Sequence, residues 1–349
     1  MNFSDSDRLA EVLELHGYQG IQGKGYQAAD IVLVNTCCVR QNAEDVALQY
    51  VASLKGLKKK NPKMIIGVCG CVPVEPGMDI LKRYPHVDLV FGPNEPEKLK
   101  EFLGGREGVK GESIEHGTQS TEHRASKFIT IMHGCDNFCS YCVVPYVRGR
   151  EVSRPINEVL DEVEKLVGQG TKEIILLGQN VNSYKYGLDN LLKQFALRFT
   201  HYALRDLRVQ FLTSHPRDMS DDIIEAVADL PYMAKEFMMP LQSGDDEILN
   251  RMNRGYTLDH YLGRVSKIRS LMPIARISTD ILVGFPGESE AQFQNTLKAV
   301  EEIGFNEVHM FAYSSRPGTA SAHLPDQLSE GIKQERLQRL IKTVRALLS

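Results

Sequence analysis

The stretch His133-Gly134-Cys135-Asp136-Asn137-Phe138-Cys139-Ser140-Tyr141-Cys142 sets three thiols at C-x3-C-x2-C spacing. Three thiolates hold three irons of a [4Fe–4S] cube and leave the fourth iron without a protein ligand. A ferredoxin that only carries electrons closes every iron with a thiolate, so this loop reads differently. The open iron can take a small molecule. Structural zinc is the plain competitor, but zinc takes four N or S ligands, commonly through C-x2-C pairs. His133 stands too near Cys135 in sequence to suit as a fourth. Inert buried thiols also fit poorly, because Asp136, Asn137 and Ser140 make the loop polar.

Around this loop the chain runs to 349 residues, enough for two domains with a core each. The formal net charge of -4 is mild. It neither demands nor excludes a nucleic-acid partner, and RNA binding would need a local basic patch. No apolar run reaches about 18 residues and there is no signal peptide, so the reading is a cytoplasmic protein with no membrane partner. The seven cysteines are odd in number and clustered, which favours metal over disulfides.

Upstream of the loop, apolar runs alternate with helical patterns. Residues 4–16 read as a helix capped by Ser4 or Ser6, and 42–57 as another. A short helix at 78–83 follows, then a last one reaching Leu103 with Asn94 as cap and Pro96 in its first turn. Strands are expected at 31–34, 64–68 and 87–91. The pattern predicts a small flavodoxin-like parallel α/β domain. Ligands of such sheets sit beyond the carboxyl ends of strands. Cys37 and Cys71 fall just past two of those ends and are candidate metal ligands. The bland reading makes Cys37, Cys38, Cys69 and Cys71 ordinary small buried residues. The lysines at 58–60 read as a solvated helix end or, more sharply, as an RNA contact. Residues 104–126 have no apolar periodicity and read as a linker.

Downstream, strands are expected at 128–132, 173–177, 207–212, 236–239, 276–283 and 307–311, separated by helical patterns that include 156–167, 221–229, 259–271 and 290–303. Six β/α units are too few for a closed eight-stranded barrel and suit an open partial (β/α)6 barrel with its site at the carboxyl ends of the strands. Those ends carry glycines beside amides and hydroxyls, such as Gly178-Gln179-Asn180 and Leu241-Gln242-Ser243-Gly244. Such groups suit a small polar cofactor. From Gln327 the chain reads as a basic amphipathic helix packed on the barrel. The resulting division is 1–103, the linker 104–126, a barrel over 127–325 and a terminal helix over 326–349.

The loop's C-x3-C-x-aromatic-C pattern, with Tyr141 before the last thiol, resembles the signature of the radical S-adenosylmethionine (SAM) enzymes. More widely, the pieces VNTCCVR, GCV, HGCDNFCSYCVVPYVRGREVSR, PLQSG, MNRGYT, DILVGFPGE and YSSRPGT resemble, in that order, the radical-SAM methylthiotransferases. LLGQNVNSY and FLTSHPRD are similar to the MiaB-type branch, which converts N6-isopentenyladenosine at tRNA position 37 to its 2-methylthio form. The branch that modifies a ribosomal-protein aspartate would carry an AQDT-like strand end instead. Two alternatives stand beside this: a methylthiotransferase acting on threonylcarbamoyl-adenosine in tRNA, and an Fe–S RNA-binding protein without turnover.

The resemblance implies two [4Fe–4S] clusters and SAM. Cys135, Cys139 and Cys142 would hold the cluster that cleaves SAM, and Cys37 and Cys71 would support an auxiliary one. Tyr141, Gln179, Asn180, Gln242 and Ser243 are candidates for SAM or substrate contacts, and Arg148, Arg150 and Arg154 for anion contacts or surface ion pairs. The partners implied are a tRNA anticodon loop bearing isopentenyladenosine and a reducing donor such as a flavodoxin or ferredoxin, and the protein is expected as a monomer. The family's third auxiliary cysteine precedes a Met-Asn pair that here is Met1-Asn2, and its RNA-binding TRAM domain would follow Ser349. The reading therefore expects a trimmed chain with an underpopulated second cluster.

Overall fold

The structure is a computed structural model that describes residues 2–21, 27, 29–39, 41–75, 78–104, 126–199 and 207–348. The expected linker lies, but for its two end residues, outside the described residues. The chain divides into two compact units. The first joins Met1–Arg124 with Val143–Gly149, and the second joins Ala125–Cys142 with Arg150–Ser349.

In the first unit, β1 (Ile31–Thr36) alternates between half-buried and buried positions, whereas β2 (Ile65–Gly70) is buried throughout. That difference follows from the sheet order β1-β2-β3, with β3 (Leu89–Phe91) on the far side and both ladders parallel. A central strand covered on both faces needs a near-continuous apolar run. Helix α1 (Asn2–Leu15) begins two residues before the expected start, so Ser4 and Ser6 lie inside it rather than capping it. Ser6 Oγ instead accepts from Asn35 Nδ2 at 3.0 Å. The single helix expected at 42–57 is two, α2 (Gln41–Ser53) and α3 (Lys55–Lys60), which meet at the fully buried Leu54. Lys58 of the lysine run is tied down at 2.6 Å from Asp88 Oδ2, and that same oxygen accepts the Ile66 amide at 2.8 Å. Lys58 therefore fixes a strand end.

Asp79 caps α4 (Ile80–Arg83) by accepting Lys82 N–H at 3.0 Å. Asn94 does not act as expected ahead of α5 (Pro96–Gly104): its amide donates to Arg148 O at 2.9 Å. Arg148 belongs to α6 (Val144–Arg148), whose Val147, with the preceding Val143, is buried in one cluster with Val34, Ile66 and Cys71.

The second unit opens with β4 (Ser126–Thr130). The antiparallel pair β5 (Met132–His133) and β6 (Val152–Ser153) follows, with the cysteine loop leaving from β5. Next come α7 (Ile156–Gly168), β7 (Glu173–Leu177), α8 (Leu188–Arg198), β8 (Arg208–Phe211), α9 (Asp221–Asp229) and β9 (Glu236–Met238). The unit ends with α10 (Asp246–Arg251), α11 (Leu258–Leu271), β10 (Arg276–Val283), α12 (Glu290–Ile303), β11 (Glu307–Ala312) and α13 (Glu330–Leu348). Parallel ladders join β4 to β7, β7 to β8, β9 to β10 and β10 to β11, and the bridge Val209↔Met233 carries the order from β8 to the segment entering β9. Six parallel strands thus follow in chain order, as the periodicity predicts. Among the described residues no ladder joins β11 back to β4, so the barrel is open.

The helices start where their sequences say they should. Ser220, Asp245, Thr257 and Ser289 each accept an amide of the first turn, the last in a full capping box with Gln292. Their apolar sides meet the strands in one core that includes Ile129, Leu176, Phe195, Phe237, Tyr261, Ile277 and Phe293. Helix α13 packs with this core through Leu340 and Val344. Its Arg336 is buried at 2.8 Å from Glu288 Oε2, which also accepts the Gly284 amide at 2.7 Å. No helix among the described residues is long and apolar enough to cross a membrane.

Candidate active site

The cysteine loop is held by the turn that follows α10. Ser140 N–H donates to Met252 O at 2.9 Å and its hydroxyl to Arg251 O at 2.8 Å. Asn253 Nδ2 donates to Asn137 O at 3.2 Å and Phe138 O at 3.0 Å. These bonds hold Phe138 at φ 45, a left-handed conformation unusual for a residue with a side chain. At the loop's start, Arg150 forks onto Asp136 at 2.6 and 3.1 Å and lies over the Phe138 ring, 5.4 Å from its centroid.

Cys135 and Cys139 are buried, Cys142 is half-buried, and none of the three is in a disulfide. Burial pushes the Cys135 thiol up to about 11, with the Asn137 amide partly offsetting it. Cys139 has a cationic neighbour: Arg254 Nη1 donates to its Sγ at 3.3 Å. Arg254 is itself buried, donating to Pro240 O at 2.8 Å and to Tyr256 Oη at 3.2 Å. The Tyr256 hydroxyl in turn donates to Leu241 O at 2.8 Å. One guanidinium therefore joins the loop to the segment leaving β9. Arg254 lies within MNRGYT, where nothing local in the sequence marks it as a partner of the cysteine loop.

The donor set fits a cluster: three thiols at C-x3-C-x2-C spacing can each take one iron of a cube and leave the fourth open. An N–H aimed at one of the sulfurs is the kind of outer contact that tunes cluster potential.

The expected contact residues divide. Asn180 Nδ2 donates to Asp218 Oδ2 at 2.7 Å, Arg217 Nε donates to Asp218 Oδ1 at 2.9 Å, and Arg217 Nη2 reaches Asn137 Oδ1. The ends of β7 and β8 are thereby tied to the cysteine loop. Gln179 Oε1 and Asn180 Oδ1 are buried with no hydrogen-bond partner among the described residues. Tyr141 is half-buried, its hydroxyl 3.5 Å from Arg254 Nη1. Gln242 is buried at φ 70, and its backbone bonds to Asp280 and Leu282 carry the pairing of β9 with β10 onward. Ser243 turns to α12, where its Oγ lies 3.2 Å from Thr296 Oγ1. Beside it, a side chain on Gly244 would stand 2.7 Å from both Asn295 O and Ala299 Cβ. The Gly244 backbone therefore packs directly against α12. Arg148, Arg150 and Arg154 all stand in ion pairs, with Asp5, Asp136 and Glu162.

In the first unit, Gly70 at φ 94 lets the ends of β1 and β2 close together. A Cβ there would stand 2.3 Å from Thr36 O. Cys71 N–H donates to that carbonyl at 3.0 Å, and Thr36 Oγ1 donates to Cys69 O at 2.6 Å. The Cys38 thiol hydrogen-bonds to Cys71 sulfur, which with the Arg148 guanidinium holds Cys71 below the usual thiol range. The same bond, followed by burial, drives Cys38 far upward. Cys37 is half-buried beside them. Cys69 has its thiol on Val34 O at 3.7 Å and is pushed up to about 12 by burial, which makes it an inert core residue.

Residues 1–92 match the Uncharacterized protein family UPF0004, and residues 129–300 match the Radical SAM superfamily. The chain is 44% identical to the tRNA-2-methylthio-N(6)-dimethylallyladenosine synthase of Trichlorobacter lovleyi, over 98% of this chain and 80% of that protein. It is also 44% identical to the protein of the same name from Pelotomaculum thermopropionicum, over 98% and 79%. The Clostridium perfringens protein of that name is 42% identical over 99% and 79%. Among solved structures, the radical S-adenosylmethionine methyltransferase TsrM from Kitasatospora setae superposes with a TM-score of 0.65, over 92% of this chain and 69% of that one, at 16% identity. The cobalamin-dependent S-adenosylmethionine radical enzyme OxsB gives 0.61 over 97% and 53%, at 12% identity. These two share the fold.

Proposed function

Because the chain belongs to the radical-SAM methylthiotransferase family of the tRNA-2-methylthio-N(6)-dimethylallyladenosine synthases, we propose that it converts N6-isopentenyladenosine at tRNA position 37 to its 2-methylthio derivative. The reaction uses SAM and a [4Fe–4S] cluster. The observation that carries this reading is the C-x3-C-x2-C loop tied to the segments that leave β7, β8 and β9, with Arg254 donating to Cys139.

In this reading Cys135, Cys139 and Cys142 hold the cluster that binds SAM. When bound there, that cluster supplies the electron that cleaves SAM to methionine and a 5′-deoxyadenosyl radical. Arg254 fixes the loop against the segment after β9 and places positive charge beside one sulfur. The Arg217–Asp218–Asn180 chain holds the ends of β7 and β8 in register with the loop. Cys71 and Cys37 would hold a second cluster, which would supply the sulfur for transfer. The target adenosine leaves its stack in the anticodon loop to reach the barrel, as single-stranded loops allow. A flavodoxin or ferredoxin is the reducing partner, and the protein acts as a monomer.

Nucleoside analysis tests the function. tRNA from a strain lacking its own enzyme should gain 2-methylthio-N6-isopentenyladenosine when this protein is supplied, with threonylcarbamoyl-adenosine unchanged. Gain of the methylthio group on threonylcarbamoyl-adenosine would overturn the reading. Arg254→Met keeps the bulk but removes every donor, leaving Cys139 Sγ without the guanidinium N–H while Pro240 O keeps the Tyr256 hydroxyl at 3.1 Å. It should lower 5′-deoxyadenosine formation by about 10- to 100-fold, the equivalent of one or two strong hydrogen bonds, and should shift the cluster's reduction potential. An unchanged potential would mean that Arg254 is only a packing residue.

A further inference from the structure

The end of β8 carries a strained turn and a buried imidazole. Thr213 is β-branched yet sits at φ 73, a strained conformation for such a residue. The turn it begins buries His215, which is 4% exposed. His215 Nδ1 accepts the backbone N–H of Arg217 at 3.3 Å. The neutral ring therefore carries its proton on Nε2. Nε2 is buried and has no hydrogen-bond partner among the described residues. Burial first, then the charges of Arg254 and Arg217, push this imidazole down to about 2, so it is a neutral donor at any working pH.

The ring is fixed by its neighbours. It stands edge-on to Tyr256 at 78°, with centroids 5.6 Å apart. Tyr256 is the residue that bonds Arg254, and through it the cysteine loop. Three more buried atoms at the neighbouring end of β7 lack partners in the same way: Gln179 Oε1, Asn180 Oδ1 and Asn182 Oδ1. Buried polar atoms are nearly always satisfied, so four at the ends of two adjacent strands point to a ligand. The set holds one neutral N–H donor and three amide oxygens. A phosphate or carboxylate would meet the three oxygens unfavourably. An adenosyl group offers the complement, with ring nitrogens as acceptors and N–H and hydroxyl groups as donors.

We propose that His215 is a binding residue that donates Nε2–H to a ring nitrogen of an adenine seated at the ends of β7 and β8. The proposal rests on the function given above, in which both SAM and the target nucleoside carry an adenine.

Two ligand series separate the sources, with dissociation constants measured on the reconstituted protein without reductant. One is SAM and the other an isopentenyladenosine anticodon stem-loop, each with N1, N3 or N7 of its adenine replaced in turn by C–H. For one nitrogen of one ligand, the wild type should lose about 10- to 100-fold in affinity, as expected when a buried donor is left unpaired. His215→Phe should bind that analogue and its parent within about twofold of each other, since it has no donor to strand. The ligand that shows the loss identifies which adenine is held. The proposal is wrong if the wild type tolerates all six replacements, or if His215→Phe still discriminates as strongly as the wild type. Should His215→Phe fail to fold, His215→Met, which also lacks a donor, replaces it, and discrimination undiminished in that variant counts against the proposal. Conversion of tRNA by the wild type is scored separately. Intact conversion with no dependence on His215 removes this assignment and leaves the function standing.

Discussion

Cys139→Ala should abolish reductive cleavage of SAM, lowering 5′-deoxyadenosine formation by more than about a thousandfold, a barrier change of about 4 kcal/mol. Three thiolates are the fewest that leave a cube anchored with one open iron. Cys139 is the middle thiol of the three and the one that receives the Arg254 N–H at 3.3 Å. Removing its sulfur takes away a ligand and one acceptor of Arg254, whose guanidinium keeps Pro240 O and Tyr256 Oη. The backbone of the loop should survive, because Ser140, Asn137 and Phe138 are bonded to Arg251, Met252 and Asn253 and not through the thiol. A melting curve close to that of the wild type, with iron content reduced and product formation at background, is the expected result. Near-normal 5′-deoxyadenosine from a folded Cys139→Ala protein would remove the cluster assignment.

The parts of this architecture set by local periodicity were open to reading from the sequence. Six strands and the helices at 156–167, 221–229, 259–271 and 290–303 emerge within a few residues of their expected places, because apolar spacing and N-caps are local signals. Contacts across long stretches of chain were not. Arg254 lies 115 residues from Cys139, and nothing in MNRGYT says which sulfur its guanidinium meets. Ser243 stands at a strand end among polar groups, and nothing local says that its hydroxyl also meets Thr296, 53 residues on. Adjacent cysteines pose the same difficulty. The sequence Cys37-Cys38 puts both just past β1, but only the fold puts the Cys38 thiol against Cys71. The helix expected at 42–57 is present as α2 and α3, parted only at Leu54, which keeps helical φ -66 and ψ -17 and bonds Tyr50 O and Lys58 N–H along the axis.

Cys71→Ala should separate the two halves of the reaction, ending methylthio transfer while leaving SAM cleavage within about threefold of wild type, a barrier change under about 1 kcal/mol. Cys71 lies in the first unit, whose core and sheet are distinct from those of the open barrel. Hydrogen bonding from Cys38 and the charge of Arg148 favour its thiolate, which is the form that binds iron. Losing it should unload the auxiliary cluster without touching Cys135, Cys139 or Cys142. Since a sulfur carrier is needed only for transfer, tRNA should then show no 2-methylthio product while 5′-deoxyadenosine still accumulates. Iron content compared before and after the substitution reports the cluster directly, each cube accounting for about four irons. The fold has reason to persist, because the Cys71 backbone N–H, which bonds Thr36 O at 3.0 Å, remains in the alanine protein. If Cys71→Ala transfers the methylthio group at the wild-type rate, the sulfur is carried elsewhere and the first unit has a different task. If both activities fall together in a protein that melts normally, the two chemistries are not divided between the units as proposed.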